Sequence, residues 1–251
     1  MQLDLAGKAA LVTGSSKGIG RAIAEALLAE GCSVALNGRN SGDLATTTTH
    51  LAGAIGVAGD VTRPDDAKRV ISEVVGALGQ LDILVCNVGS GRSVPPGSET
   101  ADEWQRVFAL NLWSTINTVE AAKEALQASK GVIVCISSIC GLEVIPGAPV
   151  TYSVAKAALH AYIRGIARPL GKLGVRINAV APGNILFDGS VWSRKLAEDE
   201  QAVQSMLQKD VALGCLGTPA DVASLVAYLA SPRSKFVSGG VWTLDGGQVH
   251  S

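Results

Sequence analysis

Short runs of consecutive apolar residues, Ile83-Leu-Val-Cys86 and Val132-Ile-Val-Cys-Ile136 among them, show no alternation between a wet and a dry face. A strand of that kind is buried on both sides, as in a parallel sheet covered by helices. Such runs lie near 8–13, 33–37, 54–58, 81–86, 131–137, 175–180 and 241–244. They alternate with helical patterns near 18–30, 41–52, 65–78, 102–128, 151–172 and 219–230. The alternation predicts an α/β fold, a doubly wound parallel sheet with helices on both faces. At 251 residues the chain suits one domain spanning 1–251, and no repeat, linker or low-complexity tract interrupts it. Pro169 should bend or end the helix that contains it.

The segment Leu11-Val-Thr-Gly-Ser-Ser-Lys-Gly-Ile-Gly20 follows the first apolar run and leads into a helical pattern. Strand, glycine turn and helix therefore follow one another. Gly14, Gly18 and Gly20 let the backbone turn tightly and approach a ligand, while the amides at the helix start point at a phosphate. In a doubly wound sheet ligands sit beyond the carboxyl ends of the strands. The glycine turn, Asp60, Asn87, Ser138 and Pro182 all fall there.

Tyr152 and Lys156 stand four residues apart in a helical pattern, so one face carries both. A phenol titrates near pH 10 and is a poor acid at neutrality. An ammonium beside it favours the phenolate and should bring the phenol towards the operating range.

With these motifs in this order, the chain resembles the short-chain dehydrogenase/reductase family from about Gly7 to Gly247. The resemblance implies a Rossmann fold and hydride transfer between a nicotinamide ring and a carbonyl carbon. By match, Ser138 hydrogen-bonds the substrate oxygen, Tyr152 transfers the proton, and Lys156 holds the nicotinamide ribose and lowers the Tyr152 pKa. Asn111 would fix a water that connects Lys156 to solvent. The cofactor would lie against Gly14, Ser16, Lys17, Gly18, Ile19 and Gly20, then Asp60, Val61, Asn87 and Gly89, and finally Pro182, Gly183 and Ile185. Relatives that use NAD place an acid at the end of the second strand, whereas here Gly38 fills that slot and Arg39 follows it. With Lys17 as a second cation, NADP(H) is the expected cofactor and reduction of a ketone or aldehyde the expected direction.

Two departures stand out. The interval between Ser138 and Tyr152 is one residue longer than in the family, which leaves the loop from Pro146 to Pro149 open and Ser137 as an alternative to Ser138. The family's Pro-Gly-x-Ile-x-Thr reads Pro182-Gly-Asn-Ile-Leu-Phe187, so the nicotinamide carboxamide must be held without that Thr hydroxyl. Residues 187–211 correspond to the family's variable substrate lid, and Trp192 and Phe187 could wall it.

A formal net charge of -1 with no basic block argues against a nucleic-acid surface, and no apolar stretch is long enough to span a bilayer. The partner expected is a small-molecule substrate. The N-terminus from Met1 to Lys8 carries charge and no apolar signal core, so a cytoplasmic home is expected. Cys32, Cys86, Cys135, Cys140 and Cys215 form no C-x-x-C pair and suit buried thiols. His50, His160 and His250 lack metal-ligand spacing, and no metal is expected. The closing strand near Val241 resembles the family's tetramer contact, which implies a homotetramer. His160, Arg164, Arg168 and Lys172 form a basic stripe, read as solvated or at a subunit contact. It leaves open docking of an acidic carrier, as in 3-oxoacyl carrier protein reductases. A non-catalytic cofactor-binding regulator is the remaining alternative, and the intact set of Asn111, Ser138, Tyr152 and Lys156 speaks against it.

Overall fold

A computed structural model describes residues 2–250. Seven parallel strands form one sheet in the order β3-β2-β1-β4-β5-β6-β7. They are β1 (Ala9–Thr13), β2 (Ser33–Gly38), β3 (Ile55–Ala58), β4 (Ile83–Cys86), β5 (Val132–Ile136), β6 (Arg176–Pro182) and β7 (Val241–Leu244). Every predicted strand is present. The reason is visible in β5, where Val132, Val134 and Ile136 face one core while Ile133 and Cys135 face the other. Both faces are dry, so the sequence shows an unbroken apolar run.

On one face lie α1 (Gly18–Ala29), α2 (Ser41–His50) and α9 (Pro219–Ala230), burying Ile23, Leu27, Leu44 and Val226. On the other lie α3 (Pro64–Leu78), α5 (Ser114–Ser129) and α6 (Val150–Lys172), burying Val70, Val119, Leu159 and Ile163. Sheet order reverses between β1 and β4, because β2 and β3 run to one side of β1 and β4 to the other. Such a switch point opens a crevice at the carboxyl ends of the strands.

Three differences from the sequence expectations have physical causes. The helix expected over 102–128 is α4 (Ala101–Phe108), a π-helical turn (Ala109–Trp113) and α5. A π turn adds a residue without breaking the apolar stripe, so periodicity alone does not reveal it. Pro169 does not end α6, which continues to Lys172. The carbonyl its missing N–H would have bonded belongs to Gly165, and both residues are exposed, so water can serve that carbonyl. Finally, the lid segment 187–211, where no helix is expected, holds α7 (Val191–Glu198) and α8 (Glu200–Asp210). Asp199 caps α8 by accepting from Ala202 N at 2.9 Å.

The cysteines sit at different depths. Cys32, Cys86 and Cys135 are buried as expected, Cys140 is half-buried, and Cys215 is exposed, against expectation. No helix of the described residues is long and apolar enough to cross a membrane.

Candidate active site

The glycine turn leaves the carboxyl end of β1 with Gly14 at φ 62° and Gly18 at φ 57°, left-handed conformations that side chains resist. Gly20 is required for a different reason: a Cβ there would run into the Asn87 amide and the Gly14 carbonyl. Asn87, at the end of β4, spends its side chain on this turn. Its Nδ2 donates to the Thr13 carbonyl at 3.0 Å and to the Gly14 carbonyl at 2.9 Å. The helix that follows, α1, begins at Lys17 with no side-chain cap and no acid in its first turn. Asn40, Thr100 and Thr218 cap α2, α4 and α9, while α3, α5 and α6, like α1, have no side-chain cap. The first amides of α1 are thus free of side-chain acceptors.

Around this turn the other predicted residues gather. A Cβ on Gly38 would stand 3.7 Å from Ser16 Oγ, so the end of β2 lies against the turn. Arg39, next in the chain, is 69% exposed and reaches Asp60 at only 4.0 Å. An exposed pair at that length contributes little, which leaves the guanidinium available. Asp60 accepts from the Thr62 hydroxyl at 2.7 Å, and Val61 is buried beside it. Pro182 ends β6, with Gly183 packed against Asp245 and Ile185 buried. Phe187, standing where the family pattern has Thr, lays its ring on the turn: a Cβ on Gly18 would lie 2.7 Å from it.

At the carboxyl end of β5 the chain separates two serines. Ser138 is buried and its side chain faces the Tyr152 phenol, a contact that lowers the phenol pKa. Ser137 points away, its hydroxyl 2.6 Å from His160 Nε2. The other ring nitrogen, Nδ1, is 3.2 Å from the Gly141 carbonyl, which can only accept. Nδ1 therefore carries the proton, and Nε2 accepts from Ser137. Burial holds the His160 pKa down at about 4, so the ring is neutral at pH 7. His160 thus leaves the basic stripe to which its spacing assigned it, while Arg164, Arg168 and Lys172 are exposed. It clamps both ends of the turn that carries Ser138, a role that four-residue spacing did not disclose.

Tyr152 and Lys156 share one face of α6, with the Lys156 ammonium 5.7 Å from the centre of the Tyr152 ring. Lys156 is buried and donates to the Ile136 carbonyl at 2.9 Å. Burial lowers its pKa to about 8. The expected depression of the Tyr152 pKa is not found. Burial pushes that phenol up, and neither the Ser138 contact nor the nearby ammonium overcomes the desolvation of a phenolate.

Asn111 lies in the π turn, buried, with both of its amide hydrogens engaged. Oδ1 accepts from Ser90 N at 2.9 Å, and Nδ2 donates to the Ser90 carbonyl at 3.2 Å and the Val107 carbonyl at 3.0 Å. Both Nδ2 hydrogens are used, so the water expected of Asn111 would donate to a carbonyl oxygen of this residue rather than accept from its amide, while the side chain holds the β4–α4 loop. Gly89 closes this corner, since a Cβ there would be 2.9 Å from Asn111 Oδ1 and 3.3 Å from Lys156 Nζ. Among the described residues no cluster of three potential metal ligands occurs.

A doubly wound sheet with a glycine turn after β1 and a Ser-Tyr-Lys set beyond β5 defines a class: dehydrogenases and reductases built on a nucleotide-binding sheet. Residues 14–249 match the family model described as enoyl-(acyl carrier protein) reductase. The chain belongs to the short-chain dehydrogenase/reductase family. Cyclohexanol dehydrogenase of Rhodococcus sp. (strain TK6) is 34% identical over 99% of this chain and 98% of its own. The 3-oxoacyl-[acyl-carrier-protein] reductase FabG of Staphylococcus aureus (strain Mu50 / ATCC 700699) is 35% identical over 96% and 97%. L-Sorbose reductase from Gluconobacter frateurii, solved with NADPH and L-sorbose, superposes with TM-score 0.93 at 28% identity and full coverage of both chains. A 7α-hydroxysteroid dehydrogenase solved with NADH superposes with TM-score 0.90 at 27% identity, covering 100% of this chain and 97% of its own.

Proposed function

We propose that this protein is an NADP(H)-dependent oxidoreductase that interconverts a carbonyl and an alcohol, with Tyr152 as the proton donor. The convergence of Ser138, Tyr152 and Lys156 beyond the carboxyl end of β5, at the same end of the sheet as the glycine turn after β1, carries the reading.

The residues present fit the dinucleotide. The uncapped first turn of α1 suits its phosphates, and Gly14, Ser16, Gly18, Ile19 and Gly20 form the cradle. Arg39 and Lys17 are exposed cations suited to a 2′-phosphate, with no acid in the Gly38 slot to repel it. Asp60 and Val61 border the adenine side, while Gly89, Pro182, Gly183 and Ile185 border the nicotinamide side. The Phe187 ring on Gly18 takes over as an apolar wall where the family has a hydroxyl.

When bound, the nicotinamide supplies or accepts the hydride. The Ser138 hydroxyl holds the substrate oxygen in this reading, and Tyr152 gives it a proton. An alkoxide oxygen is far more basic than a phenolate, so a phenol kept neutral by burial is a loaded donor. Lys156, pinned to Ile136, keeps its ammonium behind the ring at neutral pH and holds the ribose. Asn111 fixes the water that connects Lys156 to solvent in this reading, and its side chain also positions the loop over the site.

Residues 187–211 act as the substrate lid of a single domain spanning 1–251. Cytoplasmic residence and a homotetramer belong to the same reading. Free thiols suit a reducing compartment, and exposed Trp242 on the edge strand β7 offers apolar surface for a subunit contact. Reduction of acyl thioesters on a carrier protein is the second reading, favoured by exposed Arg164, Arg168 and Lys172. Neutralising those three should weaken carrier docking if that reading holds.

The test is fluorescence titration with NADPH and NADH, comparing the wild type with Arg39→Ala. NADPH should bind at least about tenfold tighter to the wild type, and the substitution should remove most of that preference. Equal or better binding of NADH would reject the cofactor assignment, and no binding of either would reject the enzyme reading.

A further inference from the structure

The loop between β4 and α4 is fastened on both sides of Gly91, the residue that approaches the phenol. Ser90 is held by Asn111 through its own N–H and carbonyl. The Ser93 hydroxyl is 2.6 Å from the Thr151 hydroxyl and donates to Glu103 at 2.7 Å. Arg106 donates to the Arg92 carbonyl at 2.9 Å and pairs with Glu103 at 2.7 Å. Arg92 N donates to Ser90 Oγ at 3.1 Å, which completes the clamp. The backbone from Ser90 to Ser93 therefore has a fixed place.

That place is beside the reacting phenol. A Cβ on Gly91 would lie 3.9 Å from the Tyr152 Cζ, the carbon that bears the hydroxyl. Arg92, the next residue, sends its guanidinium across to the 187–211 segment, where Nη2 donates to the Gly189 carbonyl at 3.3 Å. This long contact is its one side-chain bond among the described residues, and Arg92 has no ion pair there. The one carboxylate within the clamp, Glu103, is taken by Arg106 and Ser93, and the Arg106 guanidinium holds it down at a pKa of about 2. On the facing segment Lys195 lies over the Trp192 ring at 4.5 Å.

A guanidinium has five donors in a rigid fork that matches a carboxylate or phosphate. Arg92 is exposed, follows the glycine that lies beside the phenol, and is bound through a single carbonyl on the 187–211 segment, which leaves most of that fork open to solvent between the two. We infer that Arg92 is an anion-recognition residue, and that the physiological substrate is a carbonyl compound bearing a carboxylate or phosphate a few bonds from the reacting carbon. This rests on the carbonyl-reductase reading above and adds the substrate class to it. The Gly189 bond also ties the two walls, so an anion seated on Arg92 would contact both the β4–α4 loop and the lid.

Matched pairs test it. With NADPH, kcat/KM is measured for a 3-oxo carboxylate against its methyl ester, and for a keto phosphate against its dephosphorylated analogue, in the wild type, Arg92→Gln and Arg92→Lys. The wild type should prefer one charged member by about tenfold or more, and the pair that shows it identifies the anion. Arg92→Gln should bring that ratio near unity, through KM rather than kcat, and Arg92→Lys should restore part of it. A ratio near unity in the wild type, or one unchanged in Arg92→Gln, overturns the inference. A purely structural role would lower both members together and leave the ratio intact. If no carbonyl compound turns over, the reductase reading fails. The anion site is then judged by NMR binding of the 3-oxo carboxylate and the keto phosphate: binding lost in Arg92→Gln sustains it, and binding absent or unaltered overturns it.

Discussion

The floor of the site and the 187–211 segment above it are built on opposite terms. On the floor, Asn111, Ser138 and Lys156 are all under a tenth exposed, and the two long side chains are hydrogen-bonded into the backbone of β5 and the β4–α4 loop. In the segment, α7 buries no residue, and α8 contributes Val203 and Leu207 to a small cluster with Val211. A cavity of about 280 Å³ lies between α7 and α8, lined by Trp192, Lys195, Val203 and Met206 among others. Opening the floor requires breaking the sheet core, whereas opening the segment disrupts few apolar contacts. The groups proposed to move a proton are tied into the sheet and the β4–α4 loop, whereas the segment proposed to cover the substrate is held by few buried residues.

The contrast can be broken most sharply at Tyr152. Tyr152→Phe should cut carbonyl-dependent NADPH oxidation by about 10² to 10⁴-fold while fluorescence titration shows NADPH still binding. Retained turnover would move the donor elsewhere.

Lys156→Met should sharpen the picture from the side of stability. Burial lowers the Lys156 pKa to about 8 from an unfolded value of 10.5. The unfolded chain then binds more protons between those values, so this residue adds stability as pH rises from 8 to 10.5 and costs stability below. At pH 7 the Met variant should be more stable by about 1–3 kcal/mol, after the lost bond to Ile136, and inactive. The difference should close as pH approaches 10.5. Urea unfolding across this range checks both sign and window, and a Met variant less stable at pH 7 would mean the ammonium is better solvated than its burial implies.

Smallest is the effect of Trp192→Ala in the segment. Stability should change by under about 1 kcal/mol, since α7 is packed only at its margin. KM for the carbonyl substrate should move several-fold with little change in NADPH binding. A large loss of stability would show that the segment is as firmly built as the floor.

How much of this was legible in the sequence follows the same division. All seven strands were readable because burial on both faces removes polar residues from them, and the glycine turn because positive φ and close approach leave few residue types possible. Gly20 is an instance where the structure supplies the reason, the Asn87 amide, that the motif only implied. Less was legible where direction mattered. Ser137 and Ser138 are adjacent in sequence, yet one turns to His160 and the other to Tyr152. Four-residue steps drift around a helix, so His160 is buried while Arg164, Arg168 and Lys172 reach solvent. The Tyr152 pKa runs opposite to the expectation because spacing reveals a neighbouring charge but not desolvation. The segment 187–211 hid α7 and α8, since two short helices with little buried surface leave a weak apolar period.

The graded depths of the cysteines turn the chain into its own clock for local opening. An alkylating reagent should modify Cys215 at once, at the rate of an open thiol. Cys140 should follow on the timescale of motion around the Ser138 turn. Cys86 and Cys135, paired across neighbouring strands in the sheet interior, should react only when the sheet itself comes apart. Mass spectrometry of a timed reaction would then rank the opening free energies of three layers in the unmutated protein, with no probe introduced.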